Sequence, residues 1–360
     1  MRPLCQGTPR PVRRTLFSDV NWWAPAKAST VAYDALARRM HRPEGRVDVT
    51  HNGFRGLIVA TAMCAATLGA AGGATAAPAG ASLCESPPGA PAQFGTAAAG
   101  LAGRGGKSRE PDLGQTHEDM PASAKGRAGQ DFTARIPVYV HVVTDGAIGS
   151  LTTKQINDQI RVLNLTFAGG EGGADTGFSF QLAGVTRTDN AAWFYAGPSG
   201  VHENSMKSTL RQGGSNALNF YSTTAGPYLG WAYLPDILTK PGQAHLDGIV
   251  IDWESIRGTS TTYAGTFDQG ETATHEVGHW LNLEHTFFGG CSAKGDFVAD
   301  TPAQKTPTSG CPVGKDTCTA PGLDPIHNYM DYSFDSCYTE FTPGQAQRMS
   351  DAWLLFRAGQ

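Results

Sequence analysis

Charge is scarce in this chain. Of its 360 residues only 17% are charged, 28 basic against 32 acidic, for a formal net charge of −4. No basic cluster is interleaved with aromatics, so the electrostatic footprint of a nucleic-acid binder is missing. No apolar run reaches the roughly 20 strongly hydrophobic residues of a membrane span. The best candidate, Gly56 to about Ala71, is diluted with Ala, Gly and Thr. There is no close C-x-x-C pair to mark a structural zinc site, and no internal repeat. Glycine, by contrast, reaches 45 residues, which suits a loop-rich extracellular protein.

What is present divides the chain into four parts. Arg42, Arg46 and Arg55 precede the diluted apolar run, and Ala74-Thr75-Ala76 follows it as a small-residue cleavage site. That is the pattern of a secretory signal peptide over 40–76, with Met40 as its start and 1–39 as misassigned upstream translation. Residues 77–133, rich in Ala, Gly, Pro and Ser, read as a flexible or pro-segment without a core of its own. The folded unit is expected over 134–360.

Within that unit, Ile136–Val143 carries the β-branched residues of a strand. Thr152 to Gln155 opens a helix whose Ile156, Ile160, Leu163 and Phe167 keep helical spacing. Phe178–Val185 alternates as a strand, and further strands are expected at Leu229–Leu234 and Gly248–Trp253. Asp268 with Glu271 three residues on resembles a capping box opening another helix. Thr342-Pro343 starts the last helix, with Ala346, Met349, Trp353 and Phe356 as its apolar stripe. This order predicts an α/β (α+β) fold, a mixed sheet flanked by helices.

The chemistry lies in His275-Glu276-Val277-Gly278-His279 and the His285 that follows. Residues four apart share a helix face, so His275 and His279 can aim their imidazoles at one zinc ion. Glu276, one residue round the helix, is placed to take a proton from an attacking water. His285 is too far on to join them if the helix continues. The chain must therefore leave the helix, and Asn282 permits this because Asn tolerates the left-handed backbone that ends helices.

These residues, with Asn328-Tyr329-Met330-Asp331-Tyr332 further on, closely resemble the metzincin metalloproteases and, within them, the pappalysin family. The likeness runs from about Arg135 to the C-terminus, with one departure: Asn282 stands where the long motif has Gly. It implies a twisted sheet with helices above a cleft, an irregular disulfide-bonded lower half ending in a helix, and a cleft-edge strand at Leu229–Leu234. It implies zinc on His275, His279 and His285, with Met330 in a turn beneath the metal. It also implies that Tyr332 donates a hydrogen bond to the oxyanion, and that Cys291–Cys318 and Cys311–Cys337 are paired. Four cysteines alone allow three pairings.

Asp296, Asp300 and Thr301 look like the family's loop after the third His, whose hard oxygens suit calcium. Cys84 is left over: a pro-segment thiolate can occupy the open zinc position in related proenzymes, and the plainer reading is an unpaired linker cysteine. Asp335 lies one place from the acid with which some relatives hold basic side chains, so no preference for Arg or Lys is expected. His141, His202, His245 and His327 are expected to be structural or exposed. The function implied is a secreted, monomeric zinc endopeptidase acting on proteins or peptides, with no nucleic-acid partner and no membrane after signal cleavage. The alternatives are a zinc amidase or toxin of narrow target, and an adhesive module without turnover. Intact Glu276 and Tyr332 speak against the last.

Overall fold

The computed structural model describes residues 107–359. The expected signal peptide, its start at Met40, the stretch before it and Cys84 lie outside these residues. Five strands form one sheet: β1 (Ala134–Thr144), β2 (Phe178–Asp189), β3 (Leu218–Thr223), β4 (Gly230–Ala232) and β5 (Ile249–Asp252). Their spatial order is β2-β1-β3-β5-β4; all neighbours are parallel except β4, which runs antiparallel to β5 at the sheet's edge. Five helices accompany them: α1 (Thr153–Phe167), α2 (Ala191–Phe194), α3 (Val201–Leu210), α4 (Glu271–Trp280) and α5 (Pro343–Phe356). The mixed sheet flanked by helices is as expected.

The sheet is buried on both faces. Ile136, Val138, Val140 and Val142 of β1 pack with Ile156 and Leu163 of α1, Val277 of α4 and Met349 of α5. Val143, Tyr221, Trp231 and Val250 turn the other way, onto Phe194 of α2 and Met206 of α3. Each fully buried aliphatic side chain contributes about 1.5–3 kcal/mol, and parallel strands require such cover on both sides. β3 was not anticipated. All six of its residues are buried, yet Asn219, Ser222 and Thr223 interrupt the apolar pattern. Asn219 is satisfied internally, accepting from Gln212 N at 2.8 Å and meeting His141 Nε2 at 2.9 Å.

The N-terminal ends of α1 and α5 follow from their sequences. Thr152 with Gln155 and Thr342 with Gln345 form reciprocal capping boxes. The expected cap of α4 is corrected: its N-cap is Gly270, at φ 93°, while Asp268 accepts from Gly265 N and lies in the preceding turn. Beyond α4 the chain is irregular, and the two disulfides Cys291–Cys318 and Cys311–Cys337 form as the resemblance implied, each with Cα atoms 5.5 Å apart. Closing loops of 26–27 residues stabilises the fold by roughly 3–4 kcal/mol per bridge on the chain-entropy account. Among the described residues no helix is long and apolar enough to cross a membrane.

Candidate metal centre

α4 is buried along its whole length and presents His275 and His279 on one face. It stops at Trp280 because Asn282 takes φ 77°, letting Leu283 N bond back to Gly278 O at 2.9 Å. Arg348 of α5 donates Nε to the Asn282 carbonyl at 2.8 Å and fixes the turn. The reversal brings His285 round to the other two rings. His279 Nε2 lies 3.2 Å from His275 Nε2 and 3.1 Å from His285 Nε2.

Hydrogen bonds on the far side of two rings decide what these nitrogens can do. His275 Nδ1 lies 2.5 Å from Tyr329 O, and His279 Nδ1 lies 2.7 Å from Leu283 O. A carbonyl only accepts, so each Nδ1 carries the hydrogen and each Nε2 presents a lone pair. Lone pairs this close repel one another unless a cation lies between them. Ligands about 2.0–2.1 Å from a tetrahedral zinc sit roughly 3.3 Å apart, so the donor set fits zinc. Burial holds the His275 imidazole down to about 4 and lowers His285 as well, favouring the neutral forms that bind metal. His279 goes the other way: burial opposes protonation, but the Glu110 carboxylate raises it.

Glu110 belongs to the site, and no sequence signal singled it out. Its Oε1 is 2.5 Å from His275 Nε2 and 3.2 Å from His285 Nε2, and its Oε2 is 3.3 Å from His279 Nε2. The four residues form one cluster of convergent donors. Neighbouring Arg109 is buried with its guanidinium 4.3 Å over the Phe267 ring, 5.3 Å over Tyr332 and 5.9 Å over Tyr338. It donates from Nη2 to Ser333 O at 3.3 Å and to the Tyr338 hydroxyl. Asp335 shares this pocket: burial raises its carboxyl to about 6, and Arg109 pulls against that rise. The one-place offset therefore leaves Asp335 buried beside Arg109.

Glu276 is buried beside the cluster, and its Oε2 has no protein partner. Burial first, then the Glu110 charge, raises its pKa well above the ordinary carboxylate range. Tyr332 stands with its ring centre 4.9 Å from that of His285 and 5.8 Å from that of His275. Burial, followed by Glu110, pushes its phenol well above 10, so it keeps the proton it would donate. Met330 is fully buried below, and a Cβ at Gly278 would lie 2.4 Å from its Sδ. Gly278 thus lets the turn approach the helix between the two histidines.

Gly230 has a matching role above. A Cβ there would meet Glu276 Oε1 and Val250 O, each at 2.8 Å. The carbonyl cannot yield without moving β5. Gly230→Ala is expected to cost about 1–3 kcal/mol of stability by overpacking. By displacing Glu276 it should also lower kcat by roughly tenfold or more, with metal content unchanged. A variant with parental kcat removes this positioning role.

The expected calcium loop is not assembled as a carboxylate cage. Asp296 Oδ1 accepts from Thr301 Oγ1 at 2.6 Å and from Val298 N at 3.1 Å, leaving Oδ2 buried without a partner. Asp300 turns instead to the start of α5, accepting from Thr342 Oγ1 at 2.7 Å and Gly344 N at 2.8 Å. The other donor cluster among the described residues, Cys311, His327 and Cys337, has both sulfurs in one disulfide. His141 is buried between Thr186 and Asn219, and His245 Nε2 meets Asn204 Oδ1.

The family pattern described as pregnancy-associated plasma protein-A matches residues 257–353, from before α4 into α5. An extracellular metalloprotease of Arthroderma benhamiae is 46% identical over 259 residues, covering 69% of this chain and 84% of that protein. Extracellular metalloprotease 1 of Coccidioides posadasii is 43% identical over 279 residues, covering 74% and 96%. Mature mirolysin of Tannerella forsythia, solved in complex with a cleaved peptide, matches with a TM-score of 0.53 at 33% identity. That match covers 64% of this chain and 93% of the mirolysin chain.

Proposed function

Since this chain belongs to the pappalysin family and is a metalloendopeptidase acting on protein or peptide substrates, we propose that it is a secreted zinc enzyme with Glu276 as general base. The observation that carries this reading is the convergence of three imidazole Nε2 atoms, two with their Nδ1 hydrogens committed to carbonyls. His275, His279 and His285 would hold the ion. Bound zinc would polarise the scissile carbonyl and acidify the attacking water.

The remaining steps belong to the protein. Glu276, unpartnered at Oε2, takes the proton of the attacking water and passes it to the leaving amine. Tyr332 donates its phenolic hydrogen bond to the oxygen on which negative charge builds. Substrate lies extended along the sheet edge at β4, where backbone bonds give affinity with little sequence demand. The buried pocket of Asp335, Phe267 and Tyr338 takes a basic side chain beside the scissile bond, as it takes Arg109 here.

Mass spectrometry of a peptide library incubated with the secreted protein tests this reading. Cleavage next to Arg or Lys, abolished by a chelator and restored by one equivalent of zinc, is expected. Cleavage that survives complete zinc removal would overturn it. Calcium enters more narrowly. The loop residues Asp300 and Thr301 already bond to protein, so added calcium is expected to leave the melting temperature within a degree or so. A rise of several degrees would restore an ion at Asp296.

A further inference from the structure

Residues 107–128 form a strap along the cleft, and its bonds are too specific for a linker. Ser108 N donates to Pro227 O at 2.9 Å, and Leu229 N donates back to Ser108 O at 3.1 Å. The pairing of Ser108 with Tyr228 is parallel, directly before β4. On the far side of Glu110, the Gln115 amide reaches the same edge: its Oε1 accepts from Leu234 N at 2.6 Å, and its Nε2 donates to Ala232 O at 3.5 Å. Polar groups of the edge on both sides of the metal site are therefore taken by the chain itself.

Charged and buried contacts fix the rest. Lys107 pairs with Asp252 at 2.8 Å, His117 Nδ1 meets Glu284 at 2.8 Å, and Asp119 pairs with Arg348 at 3.1 Å. Asp351 of α5 then takes Gly126 N at 2.6 Å and Ala128 N at 2.9 Å. In the middle, Glu110 faces three histidines and Arg109 fills the neighbouring pocket. An acceptor-only carboxylate set against the inward lone pairs of His275 and His279 is sensible only with a cation among them.

We propose that this strap is an inhibitory segment in which the Glu110 carboxylate, and not the thiolate of Cys84, supplies the fourth ligand of the zinc site. Arg109 anchors it by occupying the pocket of Asp335. The inference rests on the zinc reading above. It explains why the stretch read as flexible or pro-segment is fastened to the cleft over its described part. It also implies that activation requires a cut after Glu110, since a cut before Lys107 leaves every one of these contacts in place. The exposed basic pair Lys125 and Arg127 offers a protease such a place.

The test uses the intact chain, purified under protease inhibition, with zinc or with cobalt in its place. Glu110→Ala and the equal-sized Glu110→Gln are expected to change the visible cobalt spectrum. They should release metal to a chelator at least about tenfold faster, and raise peptidase activity of the uncut chain at least about tenfold. Cys84→Ala should alter none of the three. Glu110 variants with parental spectrum and metal release would overturn the proposal. So would a near-ultraviolet sulfur-to-cobalt absorption that disappears in Cys84→Ala. An intact parent that takes up no stoichiometric metal would instead bring down the zinc reading itself, and the strap's role with it.

Discussion

Replacing Glu276 with Ala lowers kcat/KM on a protein substrate by roughly a hundred- to ten-thousandfold, while the processed protein retains one zinc per chain. The two halves of this expectation come from different contacts. His275 and His279 are oriented by carbonyls of Tyr329 and Leu283, and His285 by the turn at Asn282; none of these involves Glu276. The Glu276 carboxylate lies in a buried space kept open by Gly230, with one oxygen unbonded. Removing it takes away a proton acceptor and leaves the ligand geometry intact. Glu276→Gln should behave like Glu276→Ala, because an amide of the same shape cannot accept the proton. A Gln variant retaining most of the activity would assign the residue to packing and reject it as the base.

The site was legible in the sequence where chemistry and backbone period coincide. His275, Glu276 and His279 declare themselves because a helix places i and i+4 on one face, and Asn282 because few residues tolerate φ 77°. The apolar strands β1 and β2 and the helix starts at Thr152 and at Thr342-Pro343 are equally plain. Legibility failed where meaning lies in tertiary partners. β3 hides because Asn219 and Ser222 are buried polar residues within a strand, Asn219 bonded to Gln212 and His141. Asp268 had the spacing of a cap, but Gly270 reaches the required backbone conformation more cheaply. Arg109 and Glu110 sit in a stretch of Ala, Gly and Pro with no periodicity, and only the folded cleft gives them a purpose. The offset of Asp335 along the chain carries no sign of its burial beside Arg109, which depends on how the disulfide-bonded loop returns. Gly230 and Gly278 are visible only through the atoms an added Cβ would strike.

A second large effect is expected far from the metal, at Glu203. This α3 carboxylate is wholly buried and pairs with the equally buried Lys207 at 2.9 Å. It also accepts from Trp231 Nε1 at 2.8 Å, Tyr233 OH at 3.0 Å and Ser199 N at 2.6 Å. Trp231 and Tyr233 belong to the cleft edge, so one buried anion holds β4 and its extension onto α3. Glu203→Ala leaves the buried Lys207 ammonium without its counter-ion, held by the Leu246 carbonyl alone, and unpairs two aromatic donors. Breaking such a pair costs about 3–5 kcal/mol, a fall in melting temperature of roughly 10 °C for a domain of this size. Glu203→Leu combined with Lys207→Met should recover most of that loss, since no charge is then left buried. Burial raises the Glu203 pKa, but Lys207 and the donors outweigh it and hold the group below its ordinary value. Its stabilisation is therefore complete above the ordinary carboxylate range and disappears as pH falls through the depressed folded value. Thermal melts from pH 7 down to pH 3 should show the gap between parent and Glu203→Ala closing only at the acid end. A gap constant over that range would mean the anion contributes nothing beyond shape.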